Sequence, residues 1–157
     1  MNPYAKELGD RDPVAVLAAT PARIRAEIAR IGADAFTRTY AEGKWSVAQI
    51  LTHLVQCEIG FSQRIRQALT VENYVAQSFD QDDWMNSETV IDGALALEAF
   101  CSLRQFDLLL FRNLSAANRA IGFSNPALGA QTVNLLLEIM AGHDLNHLAQ
   151  LESMPAQ

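Results

Sequence analysis

The sequence has 157 residues, of which half are hydrophobic, and this length predicts a single domain, 1–157, with a sizeable core. Its formal net charge of −6 and its lack of any basic run argue against a nucleic-acid partner, because binding to phosphates needs clustered Lys and Arg. No apolar run approaches the ~20 residues of a membrane span, and the N-terminal residues lack a signal-peptide core, so we expect a cytoplasmic protein with no membrane partner.

The first predicted helix follows a polar lead-in and begins at Asp12-Pro13, since Asp caps helices and Pro fits the first turn. Thr20-Pro21 repeats this signal. Two interpretations remain open: a short helix followed by a longer one, or one helix kinked near Pro21. In either case Gly32 is expected to end the helix.

The second predicted helix begins at Ser46, because Ser46 with Gln49 three residues later is a capping box. Apolar residues then recur on one face. His53 falls at the edge of that face, one turn before Cys57, which favours a site between helices over a position lining the core. The polar segment 70–86 that follows is predicted to be a crossover without regular structure, a length of loop that is often functional and that is long enough to cover a cleft.

The third predicted helix opens at Ser87-Glu88 and runs to about Leu114, and residues 115–131 are predicted to form a loop. Thr132 is the expected cap of a fourth helix. There is no strand-like alternation of useful length. The sequence therefore predicts an all-α fold, a four-helix bundle, in which the long link between helices two and three allows a non-sequential arrangement.

The fourth helix carries His143 and His147, two of the three histidines in the chain. A spacing of four residues places both rings on one side of a helix, the same side as Leu136 and Met140. Imidazoles on an apolar face need partners, which are either a shared metal ion or nearby carbonyl groups. The spacing is that of zincin metalloproteases, but Asp144 stands where their catalytic Glu would be, so protease chemistry is not supported.

Two blocks, GKWSVAQILTHL at 43–54 and HDLNHLAQ at 143–150, make the chain resemble the DinB-like (YfiT-like) family. The resemblance extends over most of the chain. It implies a four-helix bundle, a homodimer, and a histidine triad that binds a divalent metal. On this sequence the triad maps to His53, His143 and His147. Relatives of this kind include thiol-dependent transferases and isomerases, which implies a low-molecular-weight thiol as a further cofactor.

Four other residues lie near the predicted site in sequence. Cys57 is either a packed thiol or a group that approaches the ion. Glu58 either contacts a ligand histidine from outside the coordination sphere or pairs with an Arg. Asp144 either orients a ring or is solvated. Gln150 lies one turn after His147, where a hydrogen bond near the site is possible.

Two functions remain open from the sequence. In the first, the triad holds zinc, nickel or iron(II), and the ion activates a thiol or water against a small-molecule substrate, as in a thiol S-transferase or a hydrolase. In the second, the protein is a non-catalytic, dimeric stress-response module that binds a metal or ligand. No general acid or base beyond the metal itself is identifiable, which keeps the second function open.

Overall fold

The computed structural model of the protein describes residues 1–156. Its helices are α1 (Ala5–Leu8), α2 (Pro13–Ile31), α3 (Val47–Thr70), α4 (Gln81–Ser87), α5 (Gly93–Phe111), α6 (Ala116–Ala120) and α7 (Val133–Glu152). A 3-10 turn spans Ala35–Thr37. Two short strands, β1 (Gly122–Asn125) and β2 (Gly129–Thr132), pair in an antiparallel hairpin. None of the described helices is both long and apolar enough to cross a membrane.

The four long helices α2, α3, α5 and α7 form the bundle. Helix α2 packs against α5 and α7, and α3 also packs against α5 and α7. Therefore α2 and α3, although consecutive long helices in the chain, occupy opposite corners. The predicted helical bundle is confirmed, and its order is non-sequential, as the long link between α3 and α5 allows.

The starts of three long helices follow from local sequence signals. The Asp12 side chain accepts a hydrogen bond from the Ala15 amide at the start of α2. Ser46 and Gln49 make the reciprocal bonds of a capping box at the start of α3, and the Thr132 side chain caps α7. These contacts involve residues within one turn of each other, which is why the sequence alone reveals them.

Helix α2 is one helix that contains Pro21, so the two-helix alternative is wrong. Thr20 does not cap a second helix; its hydroxyl donates instead to the carbonyl oxygen of Val16, at 2.9 Å. Gly32 ends the helix with φ of 105°, a left-handed value that favours glycine.

Segment 70–86 is not structureless, because the Asp80 side chain accepts bonds from two backbone amides and begins α4. The predicted start of the third helix at Ser87 is also wrong, since Ser87 ends α4. The helix begins at Gly93, where the Asp92 side chain caps it.

The predicted loop 115–131 contains the short helix α6 and most of the β-hairpin, so the expectation of no strand is wrong. Each strand has only four residues, too few for an alternating pattern to stand out. The turn is held by Asn125, whose side-chain oxygen accepts from the amides of Ala127 and Leu128.

Apolar side chains form two buried clusters that occupy different levels of the bundle. One includes Leu17, Ile65, Leu108 and Leu136, and the other includes Ile24, Ile50, Phe100 and Leu148. On α3, α5 and α7 a set of buried polar residues falls between the two clusters: His53, Glu58, Arg104, His143, Asp144 and His147. This polar layer contains the candidate site.

Candidate metal centre

Three imidazole rings meet between α3 and α7, which are direct neighbours in the bundle. His53 lies on α3, while His143 and His147 lie one turn apart on α7. The Nε2 atom of His143 is 2.9 Å from Nε2 of His53 and 3.1 Å from Nε2 of His147. The same atom type of all three rings therefore points to one small volume.

These separations fit a shared cation. Bonds of about 2.0–2.1 Å from zinc to imidazole put neighbouring ligand nitrogens roughly 2.9–3.4 Å apart for bond angles between 90° and the tetrahedral value. Hydrogen bonds alone cannot satisfy the cluster. A neutral imidazole has one N–H and one lone pair, and Gln150 fixes the N–H of His147 on Nδ1. Of the two short contacts at His143 Nε2, at most one is then a well-directed hydrogen bond, because this nitrogen has either one N–H or one lone pair to offer.

The surroundings keep the rings neutral, which is the form that ligates a metal. Burial, and then the charge of His147, lower the pKa of His53 to about 4. Burial likewise lowers the pKa of His143 well below its ordinary value, with further contributions from the other two rings. The pKa of His147 is also lowered by burial, although its hydrogen bond with Gln150 opposes the shift.

Aromatic side chains pack around the rings. Tyr4, in the turn before α1, meets His143 edge-on with ring centres 5.4 Å apart, and Trp45 lies 5.0 Å from His53. Phe61 contacts His143 from the next turns of α3, at 6.3 Å. The rings are therefore held by apolar walls on several sides, with Gln150 as the polar partner of His147.

Cys57 lies beside the histidines. Its Sγ atom is 3.5 Å from Nε2 of His53 and 4.0 Å from Nε2 of His143, so these three residues also form a cluster with the spacing of metal ligands. Burial raises the pKa of the Cys57 thiol, which keeps it protonated unless a cation binds next to it.

Glu58 and Asp144 both bind Arg104, a buried residue of α5. The Arg104 guanidinium makes a two-pronged bond with Glu58 at 2.7 and 2.9 Å, and it donates to Asp144 at 2.6 Å. It also donates to the backbone oxygen of Leu17 on α2. Of the two alternatives for Glu58, the pairing with Arg is the one the structure has, and Asp144 is buried rather than solvated.

Burial alone would lower the pKa of Arg104, but the carboxylates of Asp144 and Glu58 outweigh it and raise the pKa. Burial raises the pKa of Glu58 to about 7, against the opposing charge of Arg104. The network therefore places one cation and two carboxylates at the level of the triad, where they connect all four long helices.

A cavity of about 470 Å³ opens onto the triad. His53, Cys57 and His143 lie on its wall, and residues 78–82, from the link before α5, form part of its rim. The crossover therefore does border a cleft. His147 faces a second cavity of about 370 Å³ together with Gln150. The 470 Å³ cavity is of the size that small-molecule sites usually have.

Sequence reasoning missed Tyr4, Arg104, Arg64 and Gln131, all of which border the site or brace it. A signal was available for Arg104, because it continues the spacing of the buried residues Leu97, Cys101 and Leu108 on α5. No sequence signal was available for Tyr4 or Gln131, which reach the site only through the folding of α1 and the β-hairpin.

Comparisons with known proteins agree with this architecture. The sequence model of the DinB superfamily matches residues 17–151. Among curated proteins, the chain is similar to "Putative metal-dependent hydrolase BH0277" of Halalkalibacterium halodurans, with 25% identity over 136 residues that cover 84% of this chain and 78% of that protein. It is also similar to "Putative metal-dependent hydrolase OB0782" of Oceanobacillus iheyensis, with 28% identity over 120 residues, 74% of this chain and 68% of that protein.

Two solved structures share the fold. YfiT from Bacillus subtilis, described as "a probable metal-dependent hydrolase with an unusual four-helix bundle topology", gives a TM-score of 0.81 at 21% identity and covers 90% of this chain and 83% of its own. The mycothiol-dependent maleylpyruvate isomerase gives a TM-score of 0.73 at 10% identity, with 91% of this chain and 60% of its own covered. At such identities the likeness establishes the fold alone.

Proposed function

The chain belongs to the DinB superfamily, and from that premise we propose that it is a metal-dependent enzyme that acts on a small molecule. His53, His143 and His147 hold one divalent cation, which is zinc, nickel or iron(II). The observation that carries the proposal is the approach of their three Nε2 atoms to within 2.9 and 3.1 Å. The names of the curated relatives support metal dependence.

Three neutral ligands leave at least one coordination position for a non-protein group, the open arrangement of a catalytic centre. A cation held by these three residues would lower the pKa of a water or a thiol to near neutral and so supply a nucleophile at physiological pH. Water would make the protein a hydrolase, and a low-molecular-weight thiol would make it a thiol S-transferase. The names of the curated relatives favour the hydrolase, and the fold shared with a mycothiol-dependent enzyme is the reason for testing the thiol variant beside it.

The chain's own residues prepare this site in two ways. Gln150 accepts the Nδ1 proton of His147, so the lone pair of Nε2 faces the other two rings. Phe61, Leu136 and Ile139 line the cavity next to His143 and give it an apolar wall, which excludes bulk water and strengthens the electrostatic interactions inside.

Metal analysis tests the proposal directly. Protein purified without a histidine tag is stripped with a chelator, reconstituted with zinc, nickel or iron(II), dialysed and assayed for bound metal. We expect about one ion per chain in the wild type and a large loss in His147→Ala. Gln63→Ala, an exposed change on α3, is the control and should retain the ion. Equally low metal content in wild type and His147→Ala would refute the triad.

One observation favours the non-catalytic alternative. Cys57 lies 3.5 Å from His53 Nε2 and so offers a fourth protein ligand, which would close the coordination sphere as in structural or sensing sites. A screen of metal-loaded protein with low-molecular-weight thiols and small electrophiles separates the two functions. Turnover that depends on the metal supports the enzyme, whereas metal binding without turnover of any thiol or ester supports the sensing module.

We also propose that the protein forms a homodimer through the outer face of α5. Leu95, Phe106 and Leu109 are large apolar residues on this helix, and each is more than half exposed. Positions 95, 106 and 109 fall on one face of a helix, and a contiguous exposed apolar face is a mark of a protein–protein interaction site. Light scattering of the purified protein checks the mass.

A further inference from the structure

Arg64 stands out among the residues that line the 470 Å³ cavity beside the triad. Its side chain is only 6% exposed, yet it has no carboxylate within salt-bridge distance among residues 1–156. Its guanidinium donates a hydrogen bond to the backbone oxygen of Gln77, at 2.6 Å. Its guanidinium lies over the rings of Phe61 and Phe79, at 5.7 and 5.2 Å. A guanidinium has five N–H donors in a fixed fork, so most of its bonding capacity is open.

The contrast with Arg104 shows what is missing. Arg104 is more deeply buried still, but two carboxylates compensate its charge. For Arg64, burial lowers the pKa, and no carboxylate contributes to the shift. A buried cation without an anion destabilises the fold, so its presence indicates a role. The missing partner is therefore expected to come from outside the chain.

A second group in the same cavity also lacks a partner. The Oε1 atom of Gln131, on β2, is buried and accepts no hydrogen bond within the described residues, and Gln131 lines the cavity with Arg64 and His143. An amide oxygen that accepts nothing needs an O–H or N–H donor. The cavity thus contains a cation, Arg64, that can bind an anion, and an acceptor oxygen, on Gln131, that can bind a hydrogen-bond donor.

These groups lie within reach of the metal centre. The Phe61 ring is 5.7 Å from the Arg64 guanidinium and 6.3 Å from the His143 ring. The two separations laid end to end place the guanidinium at most about 12 Å from the His143 ring, the span of a small molecule.

We propose that Arg64 binds a carboxylate of the small molecule whose other end reaches the triad. A carboxylate matches the planar fork of a guanidinium, which can bind it with two parallel hydrogen bonds. A phosphate dianion fits less well, because among residues 1–156 Arg64 is the only Arg or Lys side chain that lines the cavity, and Asp80 and Asp82 stand at its rim. Gln131 accepts from a hydroxyl or amide N–H of the same molecule.

This inference rests on the proposed function, so the test uses a matched pair of thiols. Zinc-loaded protein is titrated by calorimetry with ω-mercaptohexanoate and with ω-mercaptohexanol, which differ only in the charged end. We expect wild type to bind the acid at least about tenfold more tightly, as for a hydrogen bond to a charged group. The ratio of the affinities for the acid and the alcohol should fall to about one in Arg64→Gln. In Arg64→Lys it should lie between one and the wild-type value. Arg112→Gln removes one positive charge from an exposed position outside the cavity lining and should leave the ratio unchanged.

The alcohol serves as the internal reference in each variant. If Arg64 only anchors the Gln77 carbonyl, Arg64→Gln will weaken both thiols equally and keep the ratio, which would overturn the inference. Equal binding of acid and alcohol to wild type would overturn it too, while leaving the metal-bound thiol of the proposed function intact. A preference for the acid that persists in His147→Ala would support Arg64 and count against the metal. If neither thiol binds wild type, the carboxylate site is overturned together with the thiol form of the proposed function, whereas the metal site is judged by the reconstitution experiment.

Discussion

Arg104 connects all four long helices, and its removal gives the sharpest test of how the bundle is held. From α5 it binds Glu58 on α3, Asp144 on α7 and the Leu17 carbonyl on α2. In Arg104→Met the two carboxylates lose their cation while they remain buried. Breaking a buried pair in this way costs about 3–5 kcal/mol, a large part of the 5–15 kcal/mol of an ordinary domain.

The loss should depend on pH. Burial raises the pKa of Glu58 to about 7, and Arg104 opposes that rise, so the folded variant has a pKa for Glu58 above 7. An acid whose folded pKa lies above its unfolded value stabilises the protein most at low pH, and this stability is lost as pH rises through the folded pKa. The loss of unfolding free energy caused by Arg104→Met therefore grows with pH. It grows by about 1.4 kcal/mol for each pH unit over which the folded variant holds one proton more than the folded wild type.

The assay is urea unfolding followed by circular dichroism, on metal-free protein in the presence of a chelator, at pH 6 and pH 8.5. We expect the destabilisation to be about 1–2 kcal/mol larger at pH 8.5 than at pH 6. Neutralising the stranded acids in Arg104→Met/Glu58→Gln/Asp144→Asn should recover much of the loss. Arg23→Met, which breaks an exposed pair with Glu152, should cost no more than about 1 kcal/mol at either pH. A loss in Arg104→Met that is below 1 kcal/mol, or equal at the two pH values, would refute this reasoning.

Three further changes probe the site and its surroundings. Gln150→Leu should weaken zinc binding about 10- to 100-fold in a chelator competition, because a ligand imidazole loses its outer partner; unchanged affinity would contradict that role. Cobalt-substituted wild type should lack a near-ultraviolet thiolate absorption, and Cys57→Ser should leave its spectrum unaltered, whereas a band that disappears in the variant would favour the closed site. Gly142→Ala should cost about 1–3 kcal/mol of unfolding free energy, because the added methyl would lie 2.5 Å from Cβ of Tyr4; Gly122→Ala, whose methyl meets nothing closer than 3.7 Å, should cost less.

The features that the sequence predicts depend on residues close together in the chain, and the features that it misses depend on residues far apart in the chain. The caps at Ser46 and Thr132 and the pairing of His143 with His147 each depend on residues within one turn, so a local pattern is enough. The approach of His53 to the late pair spans 90 positions. Only the family resemblance predicted it, since helical periodicity does not say which helices are neighbours.

The missed features have the same cause. Arg104 finds its carboxylates 46 and 40 positions away, so no local pattern distinguishes Glu58 as its partner. The start of the third helix was misplaced because Ser and Asp are both residues that cap helices. Ser87 lies instead at the end of α4, and Asp92 caps α5. Arg64 looks like any solvated Arg in the sequence, and only the fold of the segment around Gln77 buries it.

The buried charges are best understood through the triad that they accompany. The separation of 2.9 Å between Nε2 of His53 and Nε2 of His143 requires α3 and α7 to keep a fixed axial register. Apolar packing is largely non-directional, and an apolar replacement of a buried ion pair is often no less stable. Hydrogen bonds from one guanidinium to Glu58 on α3 and to Asp144, next to His143 on α7, are directional. If one helix slid along the other by even part of a turn, these hydrogen bonds would break and the His53 ring would move away from the rings of His143 and His147. The register of the ligand helices is therefore set by protein contacts before any cation binds.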